Sequence, residues 1–569
     1  MLSTVELANR QGITTLGWGD LLPKLNGNHP LFLPNGRYID YTHDAVVDGP
    51  EWWQIDDIEN CCNHEFSANW SQMGCKKTST GLWLAQRQIK HIQATDGTVQ
   101  EHPAILIITS RTGKGTFFQL APHILEGYTI LSMNSDGLYI LRDGQEVKIP
   151  GVTEMPKTFA FPAVVITHYD LFSRANAGQF MLTKEHTPIV DKATGLGIPM
   201  PWTVADHVIE RWWDMVWVDE AHKIKDRNGK RAVNIKKIKA RLRHLSTGTG
   251  FINRPDEIWS LLNFLNRDRY GAYTQFRDAF CAIEDSGSGY ALLGGIKPSM
   301  VEGFRRVVRD VGPRRTLREV IPTLKEPINI RRDVKLSKVQ RDMYNDLKRD
   351  LRAMDRKGVP LHSPNVLAAL QRMRQICVAT PEVISDEYDE KHDRRIIKIK
   401  LTEPSTKLDA VMDILEDSAP EDKFVLFSNF RDPLELLKAR LEPRYNPKGE
   451  LKVPGYKYIH MTSEDDDETR YDKWFNQFKD PSVKIFMSTL QLGGESINLT
   501  PANYLIFLDR SWSPKDNMQG IGRIDRPGQT QQPFVINIEA INTTDQRVEE
   551  VNILKGSWFK QIFDPEVAE

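Results

Sequence analysis

Two adjacent carboxylates, Asp219 and Glu220, directly follow a short apolar run at residues 215–218. In α/β sheets, ligands collect at the carboxyl ends of buried parallel strands. A strand that ends in Asp-Glu presents one carboxylate to a hydrated Mg²⁺ and the other to an attacking water. The alternative is an ordinary buried strand that runs into an acidic turn. The motif alone leaves both interpretations open, because short motifs have false positives.

Residues 73–80 have the composition of a phosphate loop. Small residues, Gly74 among them, precede Lys77 and Thr78, and a helical pattern follows. Exposed amides at a helix N-terminus favour polyphosphate, Lys77 would neutralise it, and the Thr78 hydroxyl would ligate Mg²⁺. Lys76 stands where the usual pattern has Gly, so its side chain would crowd the phosphates or strain the loop. Three interpretations stay open: a tolerated variant, a weakened or inactive ATPase, or an engineered change.

Two further sites could complete nucleotide chemistry. Gln54 follows two tryptophans, which suggests a ring to stack on a purine and an amide for its edge. The start of an amphipathic helix explains the same residues. Arg523 and Arg526 lie three apart, on one helix face, and arginine suits bidentate contact with phosphate. Solvated arginines on a surface helix are the alternative.

Two further loops have compositions that suggest a function. Residues 246–249 are small and mostly hydroxyl-bearing after a strand, which suits a switch that senses bound phosphate, or else a plain strand-to-helix turn. Residues 111–116 superficially repeat the phosphate loop, but Lys114 precedes Gly rather than Ser or Thr. That loop fits a contact to a nucleic-acid backbone better.

The elements that must position these residues form two strand–helix alternations. Apolar strands are predicted at 104–110, 164–169 and 215–218, and again at 424–429, 483–489 and 504–509. The fold class is therefore α/β, with two lobes of parallel sheet flanked by helices. We divide the chain into a β appendage (1–45), a first lobe (46–265), helical insertions (266–403), a second lobe (404–545) and a helical tail (546–569).

Composition narrows the class of protein. The chain of 569 residues has a net charge of −1, so any nucleic-acid contact needs local basic patches such as 223–243 and 305–318. Each patch alone is better explained as a solvated helix face. The five cysteines form no disulfide framework, and no secretory signal or membrane-spanning run is visible. A cytoplasmic location is expected.

The order of the motifs along the chain resembles one family. The adenine-type Gln54, the Lys-Thr loop, residues 219–222 (Asp-Glu-Ala-His), residues 246–249 (Ser-Thr-Gly-Thr), residues 493–499 and the Gln519–Arg523–Arg526 series are similar to the superfamily 2 helicase-like ATPases. Residues 314–316, 374–377 and 526–529 look like the SNF2 (Swi2/Snf2) translocases of double-stranded DNA. The resemblance covers about residues 50–544.

The resemblance implies two RecA-like lobes with ATP and Mg²⁺ in the cleft between them. By carry-over, Gln54 reads adenine, Asp219 and Thr78 organise the metal, Glu220 is the general base, and Arg523 and Arg526 are arginine fingers. The remaining implied residues fall into three groups. Gly74, Lys76, Lys77 and Gly494 would contact nucleotide; His222, Thr247, Gly248, Thr249 and Gln519 would couple the lobes; and Ser110, Arg111, Thr167, Ser428, Asn429 and Thr489 would touch the DNA backbone.

The resemblance also sets the expected partner and the points of doubt. Duplex or branched DNA would be bound by a monomer with little sequence specificity, and the N-terminal appendage could take a protein partner. A bacterial or phage protein is expected. Four positions depart from the family: Lys76 for Gly, Ser71 for an acidic residue, Gly250 for Pro and Asp525 for His. Beside the translocase, we therefore keep an impaired DNA clamp and a strand-separating helicase as hypotheses.

Overall fold

The structure is a computed structural model, and it divides the chain into two compact units. Unit 1 comprises Met1–Thr316 and Trp558–Glu569, and unit 2 comprises Leu317–Ser557. The described residues are 38–40, 45–47 and 50–563, except 63, 96–101, 126, 143, 151, 153, 177–199, 252, 286–290, 351, 355–359, 363–365, 390–393, 447, 449–450 and 494–496. The β appendage predicted at residues 1–45 lies largely outside them.

Unit 1 is built on an eight-stranded sheet. Its strands are β3 (Phe66–Asn69), β4 (Ala104–Thr109), β5 (Thr129–Asn134), β6 (Gly137–Arg142), β7 (Gln145–Lys148), β8 (Ala163–His168), β9 (Trp212–Asp219) and β10 (Lys239–Ser246), in the order β3-β10-β9-β4-β8-β5-β6-β7. The first six in that order pair in parallel, and β6 and β7 are antiparallel additions. The two short strands β1 (Tyr38–Asp40) and β2 (Ala45–Val47) pair separately.

Helices cover both faces of this sheet. They are α1 (Trp52–Cys62), α2 (Lys77–Thr95), α3 (Gly113–Ile124), α4 (Tyr169–Phe172), α5 (Val204–Glu210), α6 (Lys230–Lys236), α7 (Ile258–Leu265), α8 (Tyr273–Phe280) and α9 (Val301–Arg309). A hairpin of β11 (Cys281–Asp285) and β12 (Ala291–Ile296) lies between α8 and α9. Strands β4 and β8 are buried along their whole length, as a parallel sheet covered on two faces requires.

Unit 2 repeats the plan with six strands that all pair in parallel. They are β13 (Ile328–Val334), β18 (Phe424–Ser428), β21 (Tyr458–Met461), β22 (Ile485–Thr489), β23 (Tyr504–Phe507) and β24 (Phe534–Ala540), in the order β13-β24-β23-β18-β22-β21. Separate apolar clusters fill its two faces. The predicted α/β architecture of two parallel sheets is confirmed.

The helices of unit 2 are α10 (Leu317–Val320), α11 (Lys338–Asp350), α12 (Val366–Val378), α13 (Thr406–Glu416), α14 (Asp432–Leu441), α15 (Asp467–Phe475), α16 (Leu490–Gly493) and α17 (Pro514–Ile521), and α18 (Thr544–Phe563) ends the described chain. Three small hairpins pair β14 (Arg352–Met354) with β15 (Pro360–His362), β16 (Thr380–Asp389) with β17 (Arg394–Thr402), and β19 (Arg444–Tyr445) with β20 (Leu451–Val453).

The segment 266–403, expected to be a helical insertion, is mixed. Helices α11 and α12 lie where the pattern predicts them, but β13 joins the second sheet and the β16–β17 hairpin precedes α13. Apolar and charged residues alternate in β17, which is the period of a strand rather than a helix. Among the described residues, no helix is long and apolar enough to cross a membrane.

Candidate active site

The loop before α2 is held in a left-handed backbone conformation at two positions. Gly74 has φ of +86° and Lys76 has φ of +49°. Glycine adopts such angles freely, whereas a residue with a Cβ in this region costs about 1 kcal/mol or more. The position where the family pattern has Gly therefore needs left-handed backbone, and Lys76 meets that need at a cost.

The Lys76 side chain does not fold over the loop. Its Nζ lies 2.9 Å from Oε1 of Glu51, just before α1, and 46% of the side chain is exposed. The Lys76 carbonyl accepts hydrogen bonds from the hydroxyls of Ser79 and Thr80, both at 3.0 Å. The predicted strain is present in the backbone, while the predicted crowding by the side chain is not seen.

Gln54 is buried and binds the same loop. Its side-chain oxygen accepts from the Glu51 amide at 3.0 Å, and its Nε2 donates to Ser79 Oγ at 3.0 Å and Thr80 Oγ1 at 2.9 Å. In this arrangement the amide ties α1 to the first turn of α2. Recognition of adenine by Gln54 stays a prediction.

Lys77 and two carboxylates meet at the carboxyl edge of the first sheet. Lys77 Nζ donates to the carbonyl of Gln72 at 2.9 Å. Burial lowers the pKa of Lys77, and the charges of Glu220 and Asp219 oppose that shift. Thr78, which follows at the start of α2, is half-buried.

Asp219 is fixed from both sides by hydroxyl groups. Ser246 Oγ donates to Oδ1 at 2.7 Å, and Thr109 Oγ1 donates to Oδ2 at 3.1 Å. Burial, followed by the neighbouring Glu220 charge, raises the pKa of Asp219 to about 6. The hydroxyls come from β10 and from the end of β4, the two neighbours of β9 in the sheet, so the parallel order itself assembles this site.

The residue after Asp219 turns the chain sharply. Glu220 has φ of +51°, and its carboxylate lies 3.2 Å from Nδ1 of His222. Buried His222 in turn lies 3.4 Å from Thr247 Oγ1 and 3.5 Å from Thr249 Oγ1. The predicted switch residues therefore contact one another and the carboxylate motif.

Residues 246–249, the predicted switch, also pack directly against the backbone that leads into the phosphate loop. A Cβ on Gly248 would lie 3.2 Å from the Ser71 carbonyl and 3.3 Å from the Met73 amide. Any side chain there would press against the backbone that leads into the loop. Because the two segments are closely packed, a displacement of one requires the other to move as well.

Sequence reasoning missed a second support, the segment that ends at Arg315. The Arg315 amide donates to Ser71 Oγ at 3.1 Å, its carbonyl accepts from the Gln72 amide at 2.8 Å, and its Nε donates to Asp57 at 2.9 Å. Gly312 allows this approach, because a Cβ there would lie 1.7 Å from the Ala68 carbonyl. Ser71, which departs from the family pattern, is thus a partner of this segment.

The donor set fits a metal held mainly by phosphate. Among the described residues, no three His, Cys, Asp or Glu side chains converge as a complete metal site. Magnesium is commonly bound through one or two carboxylates together with substrate phosphates. Asp219 and the Thr78 hydroxyl are oxygen ligands of that kind, and the half-buried Lys77 would pair with the phosphates.

In unit 2, the two predicted arginines converge on one main-chain oxygen. Arg523 Nη1 donates to the Ile497 carbonyl at 3.2 Å, and Arg526 Nη1 donates to the same oxygen at 2.8 Å. Burial lowers the pKa of Arg526. The alternative of solvated surface arginines is wrong for Arg523, which is 3% exposed. Gln519 is half-buried on α17, which ends at Ile521, so the two arginines lie in the turns after this helix and the predicted helix face is wrong.

Asp525, between the two arginines, has a structural partner. Its two carboxylate oxygens accept from Arg318 at 2.7 and 2.9 Å. Arg318 belongs to the basic run 305–318, so this cation is neutralised inside the unit. The departure from the family's His is explained by this ion pair.

A second buried cluster in unit 2 forms around Asp509. Ser428 Oγ and the Asn429 amide donate to Oδ1 at 2.7 and 3.0 Å. Asn429 Nδ2 and Arg374 Nη2 donate to Oδ2 at 2.6 and 3.2 Å. Arg374 comes from the SNF2-like landmark at 374–377, and its role in this structure is to fill that cluster.

The predicted DNA contacts divide into buried and accessible groups. Thr167 and Ser428 are fully buried, and the Thr167 hydroxyl donates to the Met133 carbonyl at 2.9 Å. In these positions neither hydroxyl reaches a phosphate at the surface. Arg111 is 67% exposed and pairs with Asp170, while Ser110 caps α3 through the Gly113 amide at 3.0 Å. Thr489 is half-buried at the end of β22, and Gly494 lies outside the described residues.

Much of the basic patch 223–243 is used within unit 1. Lys225 pairs with Glu257, Arg231 with Asp170 and Lys239 with Glu210, all within 2.9 Å. The Arg227 guanidinium stacks 3.6 Å from the Tyr273 ring centroid. The patch therefore does not present all of its charges as a free basic face.

Comparison with known proteins agrees with the order of these motifs. The sequence model of the SNF2-related domain matches residues 120–382, and that of the helicase conserved C-terminal domain matches residues 406–528. Together the two matches cover more than half of the chain. The chain belongs to the SNF2 family.

Its relatives in that family are distant and longer. It is 25% identical over 421 residues to the putative ATP-dependent helicase/translocase YwqA of Bacillus subtilis, covering 72% of this chain and 41% of that one. It is 26% identical over 350 residues to the human SWI/SNF-related matrix-associated actin-dependent regulator of chromatin subfamily A member 1, covering 59% of this chain and 30% of that one. The chain thus spans less than half the length of these SNF2 relatives.

A solved structure, the Sulfolobus solfataricus SWI2/SNF2 ATPase core in complex with dsDNA, matches with 18% identity and a TM-score of 0.34, covering 91% of this chain and 95% of that one.

Proposed function

We propose that this chain is an ATP-dependent translocase of SNF2 type that moves on double-stranded DNA. One observation carries the proposal. In a chain of this family, Asp219 is fixed by Thr109 and Ser246 beside Glu220 and the half-buried Lys77 at the carboxyl edge of a parallel sheet. Buried charges of this kind, shifted in pKa and gathered at a sheet edge, mark functional sites.

The residues of unit 1 would divide the work on ATP. Lys77 would exchange its bond to the Gln72 carbonyl for phosphate oxygens, and the amides around Gly74 would cradle them. Thr78 and Asp219 would hold Mg²⁺, which neutralises charge on the phosphates when bound. Glu220, held by His222, would orient the attacking water and take its proton.

The arginines of unit 2 would complete the site. Arg523 and Arg526 both donate to the Ile497 carbonyl, which fixes their position. A guanidinium held this way can stabilise the charge that develops on the transferred phosphoryl group. Closing and reopening around ATP would alternate two grips on the DNA backbone.

DNA as the substrate rests on the family and on sequence. One named relative of this chain is a putative helicase/translocase. Ser110 and Arg111, just before α3, and Thr489 are the accessible candidates for backbone contacts, which position a protein without reading sequence. Asn429 would first have to release Asp509.

The impaired clamp remains the second candidate, because Lys76 strains the phosphate loop. The turned-away side chain and the intact hydrogen bonds of its carbonyl favour turnover instead. Lys76 occupies the position where the family has Gly, and its side chain pairs with Glu51 instead of folding over the phosphate loop.

DNA-stimulated ATP hydrolysis separates the two candidates. The chain would be assayed without nucleic acid and with single-stranded, duplex and branched DNA, beside Lys76→Gly. We expect hydrolysis that duplex DNA stimulates in both proteins. Turnover by Lys76→Gly alone would establish the clamp, and unwinding of a plain duplex would establish the strand-separating helicase.

A further inference from the structure

The last turns of α18 pack into unit 1, although they follow unit 2 in the sequence. Residues Trp558–Glu569 group with unit 1, whereas the earlier part of the same helix groups with unit 2. The described part of this segment, residues 558–563, has the sequence Trp-Phe-Lys-Gln-Ile-Phe. We refer to it below as the C-terminal aromatic turn.

The C-terminal aromatic turn joins a cluster of rings in the core of unit 1. The Phe563 ring lies 5.6 Å from Trp70 and 5.8 Å from Phe251, measured between centroids. Phe559 lies 5.9 Å from Phe251 and stacks on Phe563 at 4.6 Å. Aromatic pairs at such distances stabilise the arrangement beyond the area they bury.

An arginine ties this cluster to the backbone before the phosphate loop. The Arg314 guanidinium lies 5.1 Å from the Phe559 centroid and 5.3 Å from the Phe563 centroid. The same side chain donates to the Trp70 carbonyl at 2.6 Å. Trp70 directly precedes Ser71, whose hydroxyl accepts from the Arg315 amide.

Two glycines leave room for the aromatic turn. A Cβ on Gly250 would lie 2.9 Å from both Phe563 and Trp70, and a Cβ on Gly295 would lie 2.7 Å from Trp558. Gly250 is the position where the family has Pro, so this departure is matched by the ring that occupies the space. Because a larger residue at either glycine would clash with the aromatic turn, the sequence is adapted to this contact.

The cluster thereby touches both segments that meet at the candidate active site. Trp70 leads into the loop of Lys76 and Lys77, and Gly250 ends the switch that contacts His222 through Thr247 and Thr249. Phe563 lies between the two. Trp70, Arg314 and Phe563 also line a cavity of about 440 Å³, so this contact is not sealed on every side.

We infer that the C-terminal aromatic turn is a positioning element of the nucleotide site, with Phe563 setting the relative position of the phosphate loop and the switch. The inference rests on the proposed ATPase function for its kinetic consequence. Its structural part is that the C-terminal aromatic turn supports residues 70–76 and 247–251. That part does not depend on ATP hydrolysis. Phe563 acts through Trp70 and Gly250 and does not itself reach the reacting groups.

The first test is Phe563→Ala, read by hydrogen exchange and by ATP kinetics. Phe563→Ala removes three aromatic pairs, with Trp70, Phe251 and Phe559. Each pair corresponds to about a two- to ten-fold effect, so the combined effect should be at least about ten-fold. We expect amide exchange in residues 70–76 and 247–251 to accelerate by that factor, while residues 424–428 of β18 stay unchanged. The KM for ATP should rise by a similar factor with a smaller change in kcat, because the loop binds the phosphates.

The matched control is Phe475→Ala in unit 2. It removes a stacked pair of similar spacing on α15, exposed Tyr471 with half-buried Phe475 at 4.7 Å. This variant should leave exchange at residues 70–76 and the KM for ATP unchanged. Equal effects of the two substitutions would reduce the role of Phe563 to general stability and overturn the inference.

Gly250→Ala tests the same contact from the opposite side. The added methyl group should displace Phe563 and Trp70 and produce the same local exchange as Phe563→Ala. In the double variant Gly250→Ala with Phe563→Ala the space on the Phe563 side is restored and Trp70 can shift into it, so exchange and KM should be no worse than in either single variant. Purely additive damage would contradict a shared contact.

The outcomes separate this inference from the proposed function. If no variant hydrolyses ATP but exchange changes locally as described, the positioning role stands and the ATPase proposal fails. If ATP is hydrolysed and exchange at residues 70–76 and 247–251 is the same with and without the Phe563 ring, the positioning role is wrong.

Discussion

In unit 1, hydroxyls of Thr109 and Ser246 hold Asp219, whereas in unit 2 the Ile497 carbonyl holds Arg523 and Arg526. Neither kind of partner carries an opposite charge. Both arrangements hold a charged group in place through neutral hydrogen-bond partners.

Other charged groups of the same units are neutralised instead. Asp525 accepts two hydrogen bonds from Arg318, and Asp509 accepts one from Arg374 in addition to those from Ser428 and Asn429. Oppositely charged partners satisfy these side chains inside the protein. The comparison suggests a rule for this chain: charges oriented by neutral groups act on ligands, and charges paired with opposite charges support the fold.

The largest predicted effect is on the rate of ATP hydrolysis, and its absence would contradict this rule. Glu220→Gln keeps the size of the side chain and removes its capacity to take a proton. We expect ATP hydrolysis to fall about 10³-fold, with ATP binding retained. Steady-state hydrolysis and titration with a fluorescent ATP analogue measure the two quantities. A rate within ten-fold of the parent would remove Glu220 from the chemistry.

The next largest effect is on stability and tests whether charges paired with opposite charges support the fold. Asp509→Asn replaces a buried carboxylate with an amide that opposes the donors of Ser428 and Asn429. We expect unit 2 to lose about 3 to 5 kcal/mol of unfolding free energy. Urea unfolding followed through a probe in unit 2 gives this value. Glu550→Gln, at an exposed ion pair with Arg547, is the control and should change little.

A neutral buried network provides a test that depends on pH. His244 lies 2.6 Å from both Ser67 Oγ and Gln88 Oε1, and burial lowers its pKa to about 3 from an ordinary value of 6.5. Because the unfolded chain binds the proton more readily, the contribution of neutral His244 is full above pH 6.5 and is lost as the pH falls toward 3.

The measurement is urea unfolding of unit 1 between pH 7 and pH 4. The parent protein should lose stability with a slope up to about 1.4 kcal/mol per pH unit steeper than His244→Gln. Identical slopes would show that His244 is not held neutral. The rule predicts no effect of this substitution on ATP affinity at pH 7.

Lys76 gives the smallest effect. Lys76→Gly and Lys76→Ala both remove the exposed pair with Glu51, but only Ala keeps a Cβ at φ of +49°. The Gly variant should be about 1 kcal/mol more stable than the Ala variant. Thermal unfolding of the two proteins isolates the backbone strain, and equal stability would mean that the loop relaxes.

Sequence patterns predicted the parts of the site that depend on local order. Asp219 and Glu220 were placed at a strand end, and Lys77 at a helix start, because each follows from residues next to it. The same patterns predicted two parallel sheets. Local patterns also carried the order of motifs that identified the family.

Contacts between distant residues were beyond those patterns. Arg315 supports Ser71 from 244 positions away, and Phe563 reaches Trp70 from the end of the chain. The inward turn of Gln54 toward Ser79 and Thr80 depends on how α1 packs on α2. Gly312 and Gly250 lie where the backbone or a ring comes close, but neither glycine identifies its distant partner from the sequence.

The most direct measurement is ATP hydrolysis by Arg526→Ala in the presence of duplex DNA, with Arg318→Ala as a matched arginine that is paired with Asp525. The account predicts that Arg526→Ala binds ATP within about three-fold of the parent but hydrolyses it about 10³-fold more slowly. Arg318→Ala, which removes a neutralised charge, should cost stability more than rate. An unchanged rate in Arg526→Ala would contradict a nucleotide held by unit 1 and acted on by the arginines of unit 2.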